Sequence, residues 1–190
     1  MLEHPGVDGP TGRFGAMHST TNTAMRAMPS ASCTGMTNSY TVSFWARKDA
    51  KDFAAPQPSY LLQVRSTETS GSQWGMLTGF HGDGNRFKLW KDGFIDGPRI
   101  DIPDTGWHHY AYSCDGSSVR CYRDGEETGS AAAVALPNLA GHYITVGGAS
   151  GAPNYECFRG DIDEFRLESG PRSAVPVHHQ LPEFTQTHVH

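Results

Sequence analysis

The sequence predicts an all-β fold, an antiparallel sandwich of two sheets. Short runs of alternating apolar and polar residues are separated by clusters of Gly, Pro, Ser and Asp, which is typical of short strands joined by turns. With 22 Gly, 12 Pro and only 18% charged residues in 190, long helices are not expected. This length fits one domain, which we place at residues 1–170. An extended surface tail is predicted at 171–190, where Pro171, Pro176 and Pro182 break any regular period.

The strand signals follow one another along the chain. The strongest is SYTVSFWARKD at 39–49, where Tyr40, Val42, Phe44 and Ala46 alternate with Thr41, Ser43, Trp45 and Arg47. Further strands are predicted at SYLLQVRS, QWGMLTGF, RFKLWKDG, HYITVGG and FRGDIDEFRLES, while AKDFAAPQP and DGEETGS are predicted as a loop and a turn.

The stretch DTGWHHYAYSCDGSSVRCYRDG predicts a hairpin whose strands are joined by DGSS. His108 and His109 are neighbours on the first of these strands, so their side chains point to opposite faces. A metal site shared by the two is therefore less favoured than local hydrogen bonding.

Four cysteines, Cys33, Cys114, Cys121 and Cys157, include no Cys-x-x-Cys pair, which argues against a zinc knuckle. Pairing Cys114 with Val119 in the hairpin makes Cys114 and Cys121 diagonal neighbours on the inner face, usually too far apart for a disulfide. Two buried thiols and a disulfide between Cys114 and Cys121 remain alternative interpretations. Whether Cys33 bridges Cys157 is not fixed by the sequence.

Charge and motifs exclude several function classes. The net charge of −5 and the lack of a basic run argue against nucleic-acid binding. The longest apolar run, AAAVAL at 131–136, is too short to insert through a membrane. No Gly-x-Ser-x-Gly, phosphate loop or dinucleotide fingerprint occurs.

Three stretches in order, SYTVSFWARKD, the Trp-His-His hairpin, and ITVGG followed by FRGDIDEFRLESGPRS, resemble the laminin-G-like branch of the concanavalin A-like jelly rolls, which is related to pentraxins. The resemblance spans roughly residues 12–173 and is fairly specific because the motifs occur together. It implies a jelly-roll sandwich, an extracellular or cell-surface location, and a packing role for Trp107.

The resemblance also suggests a structural Ca²⁺, which some members hold with acidic side chains and backbone carbonyls. Asp163 is predicted in phase with Phe165 and Leu167, so its carboxylate lies on an apolar face and needs a hydrogen bond, an ion pair or a metal. Oxygen ligands suit Ca²⁺, and Asp161 and Asp8 are the further candidate ligands. A hydrogen-bonded structural carboxylate is the alternative.

A candidate ligand-binding surface follows the loop HGDGN. Asp83 and Asn85 lie in this loop, and Arg86, Lys88 and Trp90 form a basic and aromatic row on the strand face away from the core. An aromatic platform beside hydrogen-bond donors can hold sugar rings or acidic glycans. Ordinary turn chemistry and an ordinary outer face explain the same residues.

The function expected is a non-catalytic extracellular recognition module for a glycan or a glycosylated or matrix surface. A different expectation is a building block of a ring, filament or surface layer, formed as a homo-oligomer. A polysaccharide-active enzyme ranks third: Asp161 and Asp163 share a face, but Glu164 points away, and the surrounding residues do not complete a catalytic set.

Overall fold

The computed structural model describes residues 17–19, 25–27, 38–65, 72–79, 83–91, 95–136, 139, 142–148 and 157–172. No helix in these ranges is both long and apolar enough to cross a bilayer. The elements are β1 (Met17–Ser19), β2 (Met25–Ala27), β3 (Tyr40–Lys48), α1 (Ala50–Ala54), β4 (Ser59–Arg65), β5 (Ser72–Thr78), β6 (Arg86–Lys91), β7 (Ile95–Asp101), β8 (His108–Cys114), β9 (Ser118–Arg123), β10 (Glu126–Ala132), β11 (Tyr143–Val146) and β12 (Gly160–Ser169).

The strands form two six-stranded sheets, which confirms the predicted sandwich. The first sheet has the order β1-β12-β3-β8-β9-β10, and the second has the order β2-β11-β4-β5-β6-β7. All pairings between these strands are antiparallel. The last strand, β12, returns to lie beside β3, so distant parts of the chain meet at the centre of the first sheet.

Three elements differ from the sequence prediction. Strand β7 was missed because Gly97 and Pro98 weaken its strand pattern, and an edge position tolerates such residues. The predicted turn after Asp124 continues into the exposed edge strand β10. The predicted loop AKDFAAPQP contains helix α1, which is only five residues long.

The core lies between the sheets and follows the predicted alternation. Phe44 of β3 and Tyr110 of β8 face Phe87 of β6, with ring centroids 5.4 Å (Phe44–Phe87) and 4.8 Å (Phe87–Tyr110) apart. The Tyr112 hydroxyl donates to the carbonyl of Phe87 at 2.9 Å and so also joins the two sheets. These ring contacts between fully buried side chains, together with the Tyr112 hydrogen bond, fix how the two sheets pack on each other.

The hairpin of β8 and β9 has the predicted register, with Cys114 opposite Val119 and Tyr112 opposite Cys121. Cys114 and Cys121 are buried and form no disulfide, and burial raises the pKa of the Cys121 thiol to about 12. Cys157 is buried, and Cys33 lies outside the described residues. The hairpin is therefore a packing element.

The two histidines point to opposite sides, as predicted. His109 lies opposite Trp45 of β3 on the outer face of the first sheet, with ring centroids 5.5 Å apart. The His108 ring lies between two carboxylates, with Nδ1 2.7 Å from Asp124 Oδ2 and Nε2 3.2 Å from Asp104 Oδ1. His108 thus joins the strand to its neighbouring turns, whereas the His109 ring packs on the neighbouring strand β3.

A bulge in β12 corrects the predicted face of Asp163. The register shifts between Asp163 and Arg166, where Glu164 has a φ of 46°. As a result, Leu167 lies opposite core residue Val42, whereas Asp163 lies opposite Trp45 on the outer face. The prediction that Asp163 shares a face with Leu167 was wrong, because one extra residue reverses the alternation.

Candidate functional site

A cavity of about 340 Å³ opens at one end of the sandwich, where β3 runs into α1. We call it the α1 cavity. It is lined by residues from the β3–α1 junction and α1, from the segment before β4 and from the position just before β12: Asp49, Lys51, Asp52, Ala55, Gln57 and Arg159. The backbone N–H of Asp49 donates to the carbonyl of Arg159 at 3.1 Å, which joins two of these segments.

The floor of the α1 cavity is a buried carboxylate between two cations. Asp52 Oδ2 lies 2.9 Å from Lys48 Nζ, and Asp52 Oδ1 lies 3.3 Å from an Arg159 guanidinium nitrogen. Asp52 Oδ1 also accepts the backbone N–H of Gln57 at 3.3 Å. Burial lowers the pKa of Lys48, and the neighbouring Asp52 carboxylate counteracts part of that effect. The charges are thus largely balanced within the protein.

The rim carries polar groups of both kinds. Lys51 and Gln57 are exposed, Asp49 and Arg159 are partly exposed, and together they offer N–H donors and oxygen acceptors. A ligand with several hydroxyl groups, each of which can donate and accept, matches such a rim.

Asn85, one of the predicted ligand residues, lies behind this site. Its side-chain oxygen accepts a hydrogen bond from Lys48 Nζ at 3.0 Å, and its side-chain nitrogen donates to the carbonyl of Phe53 at 2.8 Å. Asn85 therefore holds α1 against the end of β3. In this structure it is a positioning residue for the α1 cavity.

Asp83 and Lys88, also predicted as ligand residues, form an ion pair. Asp83 lies 2.9 Å from Lys88 Nζ and 2.8 Å from Arg99 Nε, and the Lys88 side chain is only 2% exposed. Burial opposes ionisation of Asp83, but hydrogen bonds from Lys88 and Arg99 outweigh it and lower its pKa. The expectation of an exposed row was wrong at Lys88, because this pair draws its ammonium into the protein.

The remaining predicted residues, Arg86 and Trp90, lie at separate points of β6. Arg86 is exposed and pairs with Asp101 at 2.6 Å. Trp90 is partly exposed and lies opposite Gly75 of β5, on the outer face of the second sheet. The five predicted residues thus divide into one buried ion pair, one positioning residue and two accessible side chains.

Trp107 does not take the core position that the resemblance implied. It is partly exposed, and the guanidinium carbon of Arg47 lies 5.1 Å from its ring centroid. Its contact is thus a surface cation–π pair at the β3 end.

The predicted calcium ligands do not converge in the described residues. Asp161 is bound by Arg47 Nε at 2.6 Å, and a guanidinium there competes with a cation. Burial raises the pKa of Asp163, although the Glu164 backbone N–H partly offsets this. Within the described ranges no three His, Cys, Asp or Glu side chains form a metal-binding group, and Asp8 lies outside those ranges. Asp161 and Asp163 by themselves do not fit a Ca²⁺ site, and calcium binding stays a prediction.

Sequence reasoning missed Lys48, Asp52 and Arg159. The spacing of Lys48 and Asp52 is that of an ion pair on a helix, but Lys48 ends a strand and only Asp52 lies in α1. Arg159 is more than a hundred residues away along the chain. The pairing of β12 with β3 brings them together, which a local pattern does not reveal.

Comparisons with solved structures show the same fold. Domain 4 of AbnA, an extracellular GH43 arabinanase from Geobacillus stearothermophilus solved with arabinotriose, is 20% identical with a TM-score of 0.59, covering 90% of this chain and 75% of that one. The heptameric SAP-like pentraxin of Limulus polyphemus is 14% identical with a TM-score of 0.54, covering 81% and 75%. The binding domain of botulinum neurotoxin serotype D is 15% identical with a TM-score of 0.57, covering 83% and 39%.

A search of curated proteins found no match. The family model Laminin_G_3, described as the concanavalin A-like lectin/glucanases superfamily, matches residues 19–178. This span includes all three motifs that carried the resemblance. The chain therefore belongs to the Laminin_G_3 family of the concanavalin A-like lectin/glucanases superfamily.

Proposed function

We propose that this protein is a non-catalytic carbohydrate-binding module that holds a sugar in the α1 cavity. The observation that carries the proposal is the cavity itself, with a polar rim on a floor already held by Lys48, Asp52 and Asn85. Ligand sites are concave, and a few well-placed polar groups set their specificity. The family adds support, since its superfamily is named for lectins and glucanases.

The rim favours a hydroxyl-rich ligand over a strongly charged one. Lys51 and Arg159 contribute positive charge, and Asp49 and Asp52 contribute negative charge, so the lining is balanced. Neighbouring hydroxyls of a sugar can donate to a carboxylate and accept from an ammonium or an amide at the same time. Because ion pairs preorganise the floor, binding requires no further ordering of Lys48 and Asp52, and the ordering cost falls on the exposed rim side chains Lys51 and Gln57.

Trp90 and Arg86, at separate points of β6, are further candidate contacts in this proposal, for a ligand long enough to extend beyond the α1 cavity. Trp90 is partly exposed, and an aromatic face can pack on a sugar ring. The proposal places no contact at Lys88 or Asp83, which bind each other.

The non-catalytic character is supported by the carboxylates of β12. A glycosidase needs two carboxyl groups facing the same bond, one as acid and one as base or nucleophile. Here the Asp161 carboxylate forms an ion pair with the Arg47 guanidinium, and Asp163 lies opposite the buried Trp45 on the outer face. Neither carboxylate lines the α1 cavity, and of the two that do, Asp49 and Asp52, the second is buried and paired with Lys48 and Arg159.

We place the protein at the cell surface or outside the cell, where it meets glycans. The arabinotriose seen in the arabinanase domain makes arabino-oligosaccharides sensible first probes, beside a broad glycan array. Array binding followed by calorimetry on the best ligand tests the proposal. Lys51→Met and Gln57→Leu should each weaken binding at least several-fold, while Arg120→Met, at an exposed residue of β9, should not. A silent array, or affinities unchanged in both rim variants, would contradict it.

Assembly into a ring or filament is the other function to be tested. One structural neighbour is a heptamer, but at 14% identity this likeness concerns the fold alone. Light scattering over a concentration series separates the two functions. A monomer at high concentration removes the building-block function, and a fixed larger species supports it.

A further inference from the structure

One wall of the α1 cavity continues along β3. The lining residue Asp49 directly follows β3, its backbone is extended (φ −59°, ψ 139°), and its N–H donates to the Arg159 carbonyl at 3.1 Å. The pairing of β3 with β12 therefore extends to this position. Residues two apart on an extended strand share a face and lie roughly 6.5 Å from each other. The next pair on the face of Asp49 is Arg47 of β3 opposite Asp161 of β12.

Trp107 completes a row with this pair. The pairing of β3 with β8 ends with Ala46 opposite His108, so the residue that faces Arg47 one step further on is Trp107. The Arg47 guanidinium carbon lies 5.1 Å from the Trp107 ring centroid, and Arg47 Nε donates to Asp161 Oδ2 at 2.6 Å. We call these three residues, Asp161, Arg47 and Trp107, the Arg47 row.

The Arg47 row is accessible beside the cavity. The Arg47 side chain is 35% exposed and Trp107 is partly exposed. A guanidinium carries five N–H donors, more than the one carboxylate of Asp161 can use. The following residue on this face of β3, Trp45, is buried. A ligand that lies along β3 from the cavity therefore reaches the Arg47 row but not Trp45.

The turn that carries Trp107 is held in place by the neighbouring histidine. His108 Nε2 lies 3.2 Å from Asp104 Oδ1, and His108 Nδ1 lies 2.7 Å from Asp124 Oδ2. Asp104 Oδ1 also accepts the N–H of Gly106 at 2.5 Å. Because the turn and the guanidinium packed on the indole are ordered before a ligand arrives, a smaller ordering cost opposes binding.

We propose that the Arg47 row is a second subsite of the α1 cavity, where Trp107 packs on the face of a further sugar and Arg47 donates to its hydroxyls. This inference rests on the proposed function and names its ligand class, a neutral oligosaccharide of two or more sugars. An aromatic ring can pack on a sugar ring. The Arg47 row adds one cation and one anion, which pair with each other, so it does not favour a charged sugar.

The Arg47 row lies closer to the cavity than Trp90. Arg47 is two positions from the lining residue Asp49. Trp90 follows Asn85, which lies behind the cavity, by five positions, roughly 16 Å along an extended strand of the other sheet. The effect of ligand length on affinity should therefore depend more on Trp107 than on Trp90, which makes Trp90→Ala the matched comparison.

Calorimetry with neutral oligosaccharides of one to four units of arabinose, xylose, glucose or galactose tests the subsite. We expect the parent chain to bind a trisaccharide several-fold more tightly than its monosaccharide. Trp107→Ala should remove most of this difference, and Trp90→Ala should retain most of it. Lys51→Met, on the cavity rim, should weaken the binding of both ligands.

The outcomes separate the subsite from the proposed function. If Trp107→Ala retains the full difference between trisaccharide and monosaccharide, or if Trp90→Ala alone removes it, the subsite is overturned while sugar binding in the α1 cavity stands. If the parent chain binds none of these sugars, the proposed function fails and the subsite fails with it.

A second measurement uses the parent chain, in case Trp107→Ala does not fold. In ¹⁵N-NMR spectra the Trp107 indole N–H signal should shift far more with the trisaccharide than with the monosaccharide, and that of the core residue Trp74 should not move. A trisaccharide that shifts the signals of residues 49–57 but leaves the Trp107 indole signal in place would overturn the subsite and support the proposed function.

Discussion

Lys48 and Asp52 form a buried ion pair at the loop end of the sandwich, with Nζ 2.9 Å from Oδ2 and side chains only 1% and 3% exposed. Lys48 is the last residue of β3, and Asp52 lies in α1. The pair therefore fixes a five-residue helix, too short to be stable alone, against the sheet that bears it. The position of the α1 cavity depends on this contact.

Breaking this pair from one side should be costly. Asp52→Asn leaves the Lys48 ammonium buried without its counter-charge, and we expect a loss of about 3–5 kcal/mol in the free energy of unfolding. The double variant Lys48→Met, Asp52→Leu removes both charges and should lose less than Asp52→Asn alone. Urea unfolding measures both variants. A double variant less stable than the single one would contradict the interpretation.

Gly79 and Gly84 provide a matched pair for the loop beside the cavity. Both have positive φ, 75° and 61°, so alanine at either should cost about 1 kcal/mol in backbone strain. At Gly79 an added Cβ would also collide with the carbonyl of Gln57, whereas at Gly84 it meets open space. Gly79→Ala should therefore lower the midpoint of thermal unfolding distinctly more than Gly84→Ala. Equal shifts of the unfolding midpoint in the two variants would contradict the predicted collision at Gly79.

The free energy of unfolding should decrease as the pH is lowered, because His109 is harder to protonate in the folded state than in the unfolded chain. Burial lowers the pKa of His109 in the folded state, the charges of Asp124 and Glu164 oppose this in part, and Arg166 adds to it. Below the unfolded pKa, near 6.5, the unfolded chain binds a proton that the folded chain does not, so stability decreases as pH falls from there toward the folded pKa.

The measurement is urea unfolding at steps between pH 7.5 and 5.5. His109→Gln should reduce the pH slope relative to the parent chain by at most about 1.4 kcal/mol per pH unit, one proton's worth. His142→Gln, at a partly exposed histidine, controls for charge. An unchanged slope in His109→Gln would rule out this source of acid sensitivity.

The calcium hypothesis is settled by melting the chelated protein with and without Ca²⁺. If Asp163 ligates Ca²⁺ with residues beyond the described ranges, the ion should raise the melting temperature, and Asp163→Asn should abolish the rise. No rise in the parent chain removes the hypothesis. A rise that survives Asp163→Asn places the ion elsewhere.

The sandwich was predictable because strand alternation and the hairpin register are local. The faces of Phe44, Tyr112 and Cys121 follow directly from a period of two. Asp163 was assigned to the wrong face because its position depends on a bulge, which the alternation does not reveal. An edge strand with Pro98 gives little signal, so β7 was missed.

The site was less predictable than the fold. Asn85 was identified from its loop composition, but its partners Lys48 and Phe53 lie more than thirty residues away. Lys88 has the position of an outward residue, but its ammonium pairs with Asp83 and its side chain is buried. Sequence patterns predict which face of the sheet a strand residue occupies, but they do not predict which charged side chain from another segment pairs with it.

The most direct test of carbohydrate binding in the α1 cavity is a ¹⁵N-NMR titration with the best array ligand. We expect saturable shift changes centred on residues 49–57 and Arg159, around the cavity, with weaker changes at Trp90 for longer oligosaccharides. Saturable changes elsewhere that spare residues 49–57, or no changes at all, would contradict it.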